Sequence, residues 1–153
     1  MTTPMGHFSA SPGAIYPAVR RIEMSGWIRG RIVDGETLRP KRVYRITESG
    51  RKRLIRRLTR PVRREDILWH MDDLMLRFAF MDRFVGHDEI LVFLRQFESE
   101  LEACVSHLGK FLKPLVAGMP ACERLSMEHG FESYKMSLAW VRRAIEEVAR
   151  AAS

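Results

Sequence analysis

The sequence predicts a mainly α chain with one small β-hairpin near its N-terminus. Three observations carry that prediction. The segment S-P-G-A-I-Y-P-A-V-R-R-I-E-M-S-G-W-I (Ser11 to Ile28) opens on helix-start signals and runs out at a glycine. It leads into two short β-prone stretches that close on R-P-K-R-V-Y-R-I-T-E-S-G (Arg39 to Gly50). Beyond residue 61, apolar residues recur at steps of three and four through almost the whole remainder.

Charge divides the chain at nearly the same place. Residues 1–64 hold 16 lysines and arginines against 4 acids, whereas residues 65–153 hold 10 against 15. A basic part joined to an acidic part points to one domain for a polyanion and another with a different task. Thr59-Arg60-Pro61 marks the boundary, giving domains of 1–60 and 61–153. At 46% apolar, the chain can build a real core.

Each element has local signals. Residues 1–10 carry proline, glycine and small polar residues and are too broken for a stable helix. Ser11 is a suitable N-cap, and Pro12 suits the first helical position, where a missing N–H costs nothing. Ile15, Val19 and Ile22 share one face with Ala18 beside them. Pro17, Arg20 and Arg21 point the other way, and Tyr16 sits on the edge. Pro17 removes a backbone hydrogen bond and crowds the carbonyl of Gly13, so a kink or local widening is expected. Gly26 should end the helix. Trp27 to Val33 then reads as a strand, Asp34-Gly35 starts a turn whose loop continues to Pro40, and Lys41 to Ile46 is the return strand. Thr47 can cap the following helix, which carries Leu54, Ile55 and Leu58 among many arginines.

The second part predicts three helices. Ile67, Met71, Leu74, Phe78 and Met81 form the first apolar seam. Ile90, Leu94, Phe97, Leu101, Cys104, Leu108 and Phe111 form the second, and Phe131, Tyr134, Leu138, Val141, Ile145 and Val148 the third. Gly86 with Asp88 separates the first two helices; Pro114, Gly118 and Pro120 separate the last two. Such seams call for near-parallel packing at shallow angles. One short bundle would leave part of them wet, so a homodimer is expected through Leu74, Phe78, Phe131, Tyr134, Leu138, Val141 and Ile145. The alternative is a self-contained three-helix bundle.

The candidate site lies in the basic part. A helix with arginines on its outer face, followed at once by a basic ribbon, is the layout of a winged-helix unit. The fold class is therefore a winged-helix DNA-binding unit plus a C-terminal helical dimerisation region. Arg20, Arg21, Arg39, Lys41, Arg42 and Arg45 would line one surface and neutralise phosphates. Tyr16, Arg20 and the first-turn residues Ser11, Gly13 and Ala14 are placed to reach base edges, because the N-terminal end of a recognition helix enters the major groove. In the helical part, Trp69 and Trp140 could sandwich a flat aromatic effector at a dimer seam, with plain core packing as the alternative.

Other chemistries lack their signatures. There is no G-x-S-x-G, P-loop, H-E-x-x-H or Gly-rich dinucleotide loop, so neither an enzyme nor a cofactor is expected. Cys104 and His107 stand three apart on one helix, but two ligands are too few for a metal site. Cys104 and Cys122 show no disulfide framework and read as reduced core thiols of a cytoplasmic protein. No signal peptide is visible, and the longest aliphatic and aromatic run, Ile90 to Leu94, is too short to span a membrane.

The segments G-A-I-Y-P-A-V-R-R-I-E-x-x-G-W-I and R-P-K-R-V-Y-R-I-T-E-S-G resemble the signature of the PadR family of winged-helix regulators. The resemblance covers about residues 9–58, and the helical remainder is similar in layout to that family's dimerisation region. It implies a cytoplasmic bacterial repressor that binds a palindromic double-stranded DNA operator as a homodimer. It also implies release by a small effector, often phenolic or otherwise aromatic. Tyr16 and Pro17 match the helix positions that face DNA, and Lys41 and Arg42 match the basic positions at the foot of the wing. Ala14 stands where a serine is common. The family has two further helices before the recognition helix, whereas ten residues precede Ser11 here. Either the true protein starts further upstream, or the alternative expectation holds: a shortened family member that acts as a dimerising interaction protein with weak or no DNA binding.

Overall fold

The computed structural model describes residues 12–33 and 41–151. Its elements run α1 (Pro12–Met24), β1 (Ile28–Val33), β2 (Lys41–Ile46), α2 (Glu48–Leu58), α3 (Arg64–Trp69), α4 (Met71–Met81), α5 (His87–Leu115), a 3-10 turn (Val116–Gly118) and α6 (Ala121–Ala151). The architecture is mainly α with one two-stranded antiparallel hairpin. The chain divides into two compact units, residues 1–57 and 58–153.

In the first unit, α1 continues through Pro17 and ends as the sequence predicts. Gly26 takes φ 70°, a left-handed conformation that glycine adopts without steric cost. Its N–H donates to the Glu23 carbonyl, and the Trp27 N–H donates to the Ile22 carbonyl. This pairing satisfies carbonyls that the last helical turn leaves open. The hairpin register runs from Ile28 opposite Ile46 to Val33 opposite Lys41. Asp34, Gly35 and the loop to Pro40 lie outside the described residues.

Thr47 caps α2 as expected. Its Oγ1 accepts the Gly50 N–H at 3.1 Å and donates to the Gly26 carbonyl at 2.6 Å, and Ser49 Oγ donates to the same carbonyl at 3.0 Å. The start of α2 is thus fastened to the end of α1. Gly50 is buried there, and a Cβ at that position would lie 1.9 Å from the Trp27 carbonyl oxygen. The apolar face of α1 is only partly covered, with Ile15 and Ile22 at 42% and 37% exposure.

In the second unit, α6 runs antiparallel along α5. Gly109 meets Phe131 toward one end, and Arg142 bridges Glu98 and Glu102 toward the other. Phe97, Ile67, Leu74, Met81, Leu94, Leu101 and Val141 are the largest fully buried side chains. Phe78 joins the core edge-on to Trp140 at 5.5 Å and stacked on Phe93 at 6.3 Å.

Two expectations need correction. The predicted helix over Ile67–Met81 is two helices, α3 and α4, broken at His70 (φ −137°, ψ 33°). Asp72 and Asp73 then occupy the first turn of α4, where carboxylates suit the exposed N–H groups and the helix dipole. The apolar seam continues across the break, which hides it from a periodicity argument. The second correction concerns Cys122, which is exposed, whereas Cys104 is buried as expected and burial pushes its thiol pKa up.

Two buried charged residues, Asp66 and Arg77, hold the connection that leads into the helices. Arg77 Nη2 donates to the Leu58 carbonyl at 2.9 Å and also to the Arg60 carbonyl. The guanidinium lies 4.9 Å from the Phe93 ring centroid. Asp66 accepts from Arg60 Nη2 at 2.5 Å and from the Arg63 N–H at 3.0 Å. Burial pushes the Asp66 carboxyl pKa up, but these two hydrogen bonds with the Arg60 and Arg77 charges outweigh it and hold the group below the ordinary aspartate value.

Candidate nucleic-acid interface

Helix α1 presents Gly13, Ala14, Tyr16, Pro17, Arg20 and Arg21 to solvent, with Tyr16 at 72% exposure. Gly13, Pro17 and Arg20 follow one another at four- and three-residue steps and so form one stripe, flanked by Tyr16 and Arg21. The six positions named from the sequence thus stay open along one helix. Ser11 and Arg39 lie outside the described residues.

The hairpin sorts its cations by face. Side chains alternate along each strand, so the register puts Arg29 opposite Arg45, Arg31 opposite Val43 and Val33 opposite Lys41 on one face. Arg29, Arg31, Lys41 and Arg45 are all exposed. Like charges directly across a strand pair repel and destabilise a sheet. A polyanion laid on this face would remove that repulsion. The other face carries Ile28, Gly30, Ile32, Arg42, Tyr44 and Ile46. Arg42 is therefore turned away from Lys41 and Arg45, and its guanidinium is paired with Glu23 of α1 at 2.8 Å. Lys41 and Arg42, adjacent in sequence, do different things in the fold.

Arg29 and Arg31 were not singled out by sequence reasoning. The alternation R-G-R within a strand, set against K-R-V-Y-R in its partner, was the signal that could have found them. The base of α2 adds Arg53, whose guanidinium lies 5.2 Å from the Trp27 ring centroid.

The helical residues named from the sequence fall into two groups. Leu74 and Val141 have no exposed surface and pack wholly within their own unit, so neither can touch a second chain directly. Phe78, Phe131, Tyr134, Leu138 and Ile145 are half-buried. The two tryptophans separate as well. Trp69 is 77% exposed at the rim of a cavity of about 580 Å³ that is also lined by His70, Tyr134 and Ser137. Trp140 is absent from that lining and packs against Phe78. Among the described residues, no group of three or more His, Cys, Asp or Glu side chains could hold a metal ion. No described helix is long and apolar enough to cross a membrane.

An arginine-bearing helix with a cation-faced hairpin behind it is the arrangement of a winged-helix unit. Residues 2–56 match the model of the family described as the transcriptional regulator PadR-like family, so the likeness carried by the two signature segments holds for the N-terminal part of the chain. Solved structures to which the chain is similar include Bacillus subtilis PadR in complex with operator DNA (21% identity over 89% of this chain and 78% of that one, TM-score 0.46). A PadR-like transcriptional regulator from Bacillus cereus is similar at 24% identity over 91% and 78% of the two chains, TM-score 0.48. A Streptococcus mutans protein is similar at 22% identity over 91% and 81%, TM-score 0.43. No curated protein matches the chain.

Proposed function

We propose that this chain is a PadR-like DNA-binding transcriptional regulator, a cytoplasmic repressor that acts as a homodimer. The observation that carries the reading is the hairpin face on which Arg29 opposes Arg45, flanked by Arg31 and Lys41, inside the segment matched by the regulator family. Those cations neutralise phosphates and set the register of the unit on the duplex. Tyr16, Pro17, Arg20 and the first turn of α1 enter the major groove and read base edges.

The helical unit pairs two copies and so fixes the spacing of the two reading heads. Support comes from the half-buried stripe of Phe131, Tyr134, Leu138 and Ile145, and from Leu125 and Met136, which stay 55% and 69% exposed along α6. A small aromatic effector that binds beside Trp69 and Tyr134 would bias the arrangement of the two heads and release DNA. The test is fluorescence anisotropy of the full chain with labelled duplexes from the DNA upstream of its own gene. Replacing Arg20 and Arg21 together by Ala should weaken binding by a few kcal/mol at low salt, and unchanged affinity would reject their role.

One observation favours a second reading. The exposure of Ile15, Ile22 and Ile46 leaves an apolar surface on the first unit that suits a protein partner. A chain that dimerises yet ignores every duplex would favour such an interaction protein.

A further inference from the structure

The Glu23 carboxylate stands where α1, β1 and β2 meet. Its Oε1 accepts the Gly30 backbone N–H at 3.0 Å, and its two oxygens accept from Arg42 Nη2 at 2.8 and 2.9 Å. The Arg42 guanidinium also lies 5.6 Å from the Tyr44 ring centroid, on the same hairpin face. Gly30 makes this junction possible. A Cβ there would come within 2.7 Å of Arg42 Nε and 2.8 Å of both Glu23 Oε1 and Tyr44 Cε1. A glycine inside a strand weakens it and marks a close approach by another group. Here that group is the carboxylate of the neighbouring helix.

We infer that Glu23 is the positioning residue that sets the hairpin against α1, and that it withdraws Arg42 from the cations available to a polyanion. The second half of this inference rests on the proposed DNA binding; the first half does not. Arg42 stands on the opposite hairpin face from Arg29, Arg31, Lys41 and Arg45, so to join a phosphate held by those four it must swing round the strand and give up its Nη2 contacts to Glu23. The half-buried Glu23 carboxylate would then lose its counter-charge and keep only the Gly30 N–H. Exchange of one acidic partner for another therefore gains nothing. Arg29, Arg31, Lys41 and Arg45 lie on the opposite face with no such obligation to Glu23.

Two measurements test this. The first uses the full chain without DNA and follows amide hydrogen exchange. Glu23→Gln should speed exchange at Gly30 by roughly tenfold, as expected when a hydrogen bond loses its charge assistance and the Arg42 pairing that holds the acceptor in place. Unchanged Gly30 exchange in a folded Glu23→Gln chain would overturn the positioning role. If that variant does not fold, Gly30→Ala, which displaces the same side chains, serves in its place, read at the Arg42 guanidinium N–H groups. The second measurement is the salt dependence of duplex binding. Arg45→Gln should lower the slope of log K against log salt by about 0.9 for each copy bound, the value of one phosphate contact. Arg42→Gln should leave the slope unchanged, because Glu23 already holds that cation, whereas Glu23→Gln frees it and should not lower the slope. A slope lowered by about 0.9 per bound copy in Arg42→Gln would show that Arg42 meets phosphate and overturn its withdrawal. If the unaltered chain binds no duplex, the DNA-binding reading and the withdrawal of Arg42 both fail, while Gly30 exchange still decides the positioning role.

Discussion

Replacing Arg77 by methionine removes a buried cation while keeping an unbranched, apolar stem of similar length. With it go the hydrogen bonds to the Leu58 and Arg60 carbonyls and the contact with the Phe93 ring. Each buried carbonyl left without a donor costs about 1–3 kcal/mol, and the cation–π contact contributes about 0.5–2 kcal/mol. Asp66 also loses one of the charges that compensates it. Against this, the folded state no longer buries a guanidinium, a relief that often offsets several kcal/mol. The Leu58 and Arg60 carbonyls lose the guanidinium that donates to them, so the losses should win by about 2–4 kcal/mol. Urea unfolding followed through Trp140, which packs beside this cluster on Phe78, reads the change directly. A methionine variant as stable as the parent, or more so, would refute the argument that these hydrogen bonds hold the junction of the helical unit.

Further predictions concern other contacts. Gly50→Ala should destabilise the first unit by about 1–3 kcal/mol or more, because the new methyl meets the Trp27 carbonyl rather than a movable side chain; a thermal melt with an unshifted midpoint would contradict this. Asp66 has its folded pKa below the unfolded value, so its contribution is complete above the unfolded aspartate value of about 3.9 and is lost as pH falls through the folded value. Asp66→Asn should therefore be less stable at neutral pH and converge on the parent in acid, as measured by denaturant midpoints from pH 7 to pH 2; parallel curves would exclude the linkage. Leu138→Lys, at a half-buried site, should split a dimer while leaving the far-ultraviolet spectrum intact, whereas Val141→Lys should unfold the helices because it buries an unpaired charge. Light scattering and circular dichroism distinguish the two outcomes.

Much of the first unit was legible because its boundaries are set locally. Pro12, Gly26 and Thr47 act through their own backbone or a hydrogen bond to a near neighbour, and each does in the structure what its residue type favours. The hairpin strands followed from β-prone residues between turn signals. What escaped were effects of distance. Arg42 reads as one more surface cation beside Lys41, and only its contact with Glu23, nineteen positions away, removes it from that set. Arg77 falls outside the predicted apolar seam, yet it is buried because backbone carbonyls from the preceding connection reach it. A helical period also does not tell an intrachain seam from an interchain one, which is why Leu74 and Val141 read as contact residues although their own unit covers them completely. Finally, the apolar run through Ile67, Met71 and Leu74 outweighed the H-M-D-D signal that starts a new helix at Met71.

The central claim is that the cation-faced hairpin and the exposed side of α1 grip duplex DNA. Its most direct test is equilibrium binding of the full chain to a 30-base-pair duplex, measured from 50 to 200 mM salt alongside the variant in which Arg29, Arg31, Lys41 and Arg45 are all glutamine. Four phosphate contacts per bound copy at about 0.9 each amount to roughly a 150-fold fall in affinity across that range for each copy. The account predicts that the parent shows at least this fall and that the variant loses most of it. Parent and variant with the same salt dependence would contradict it.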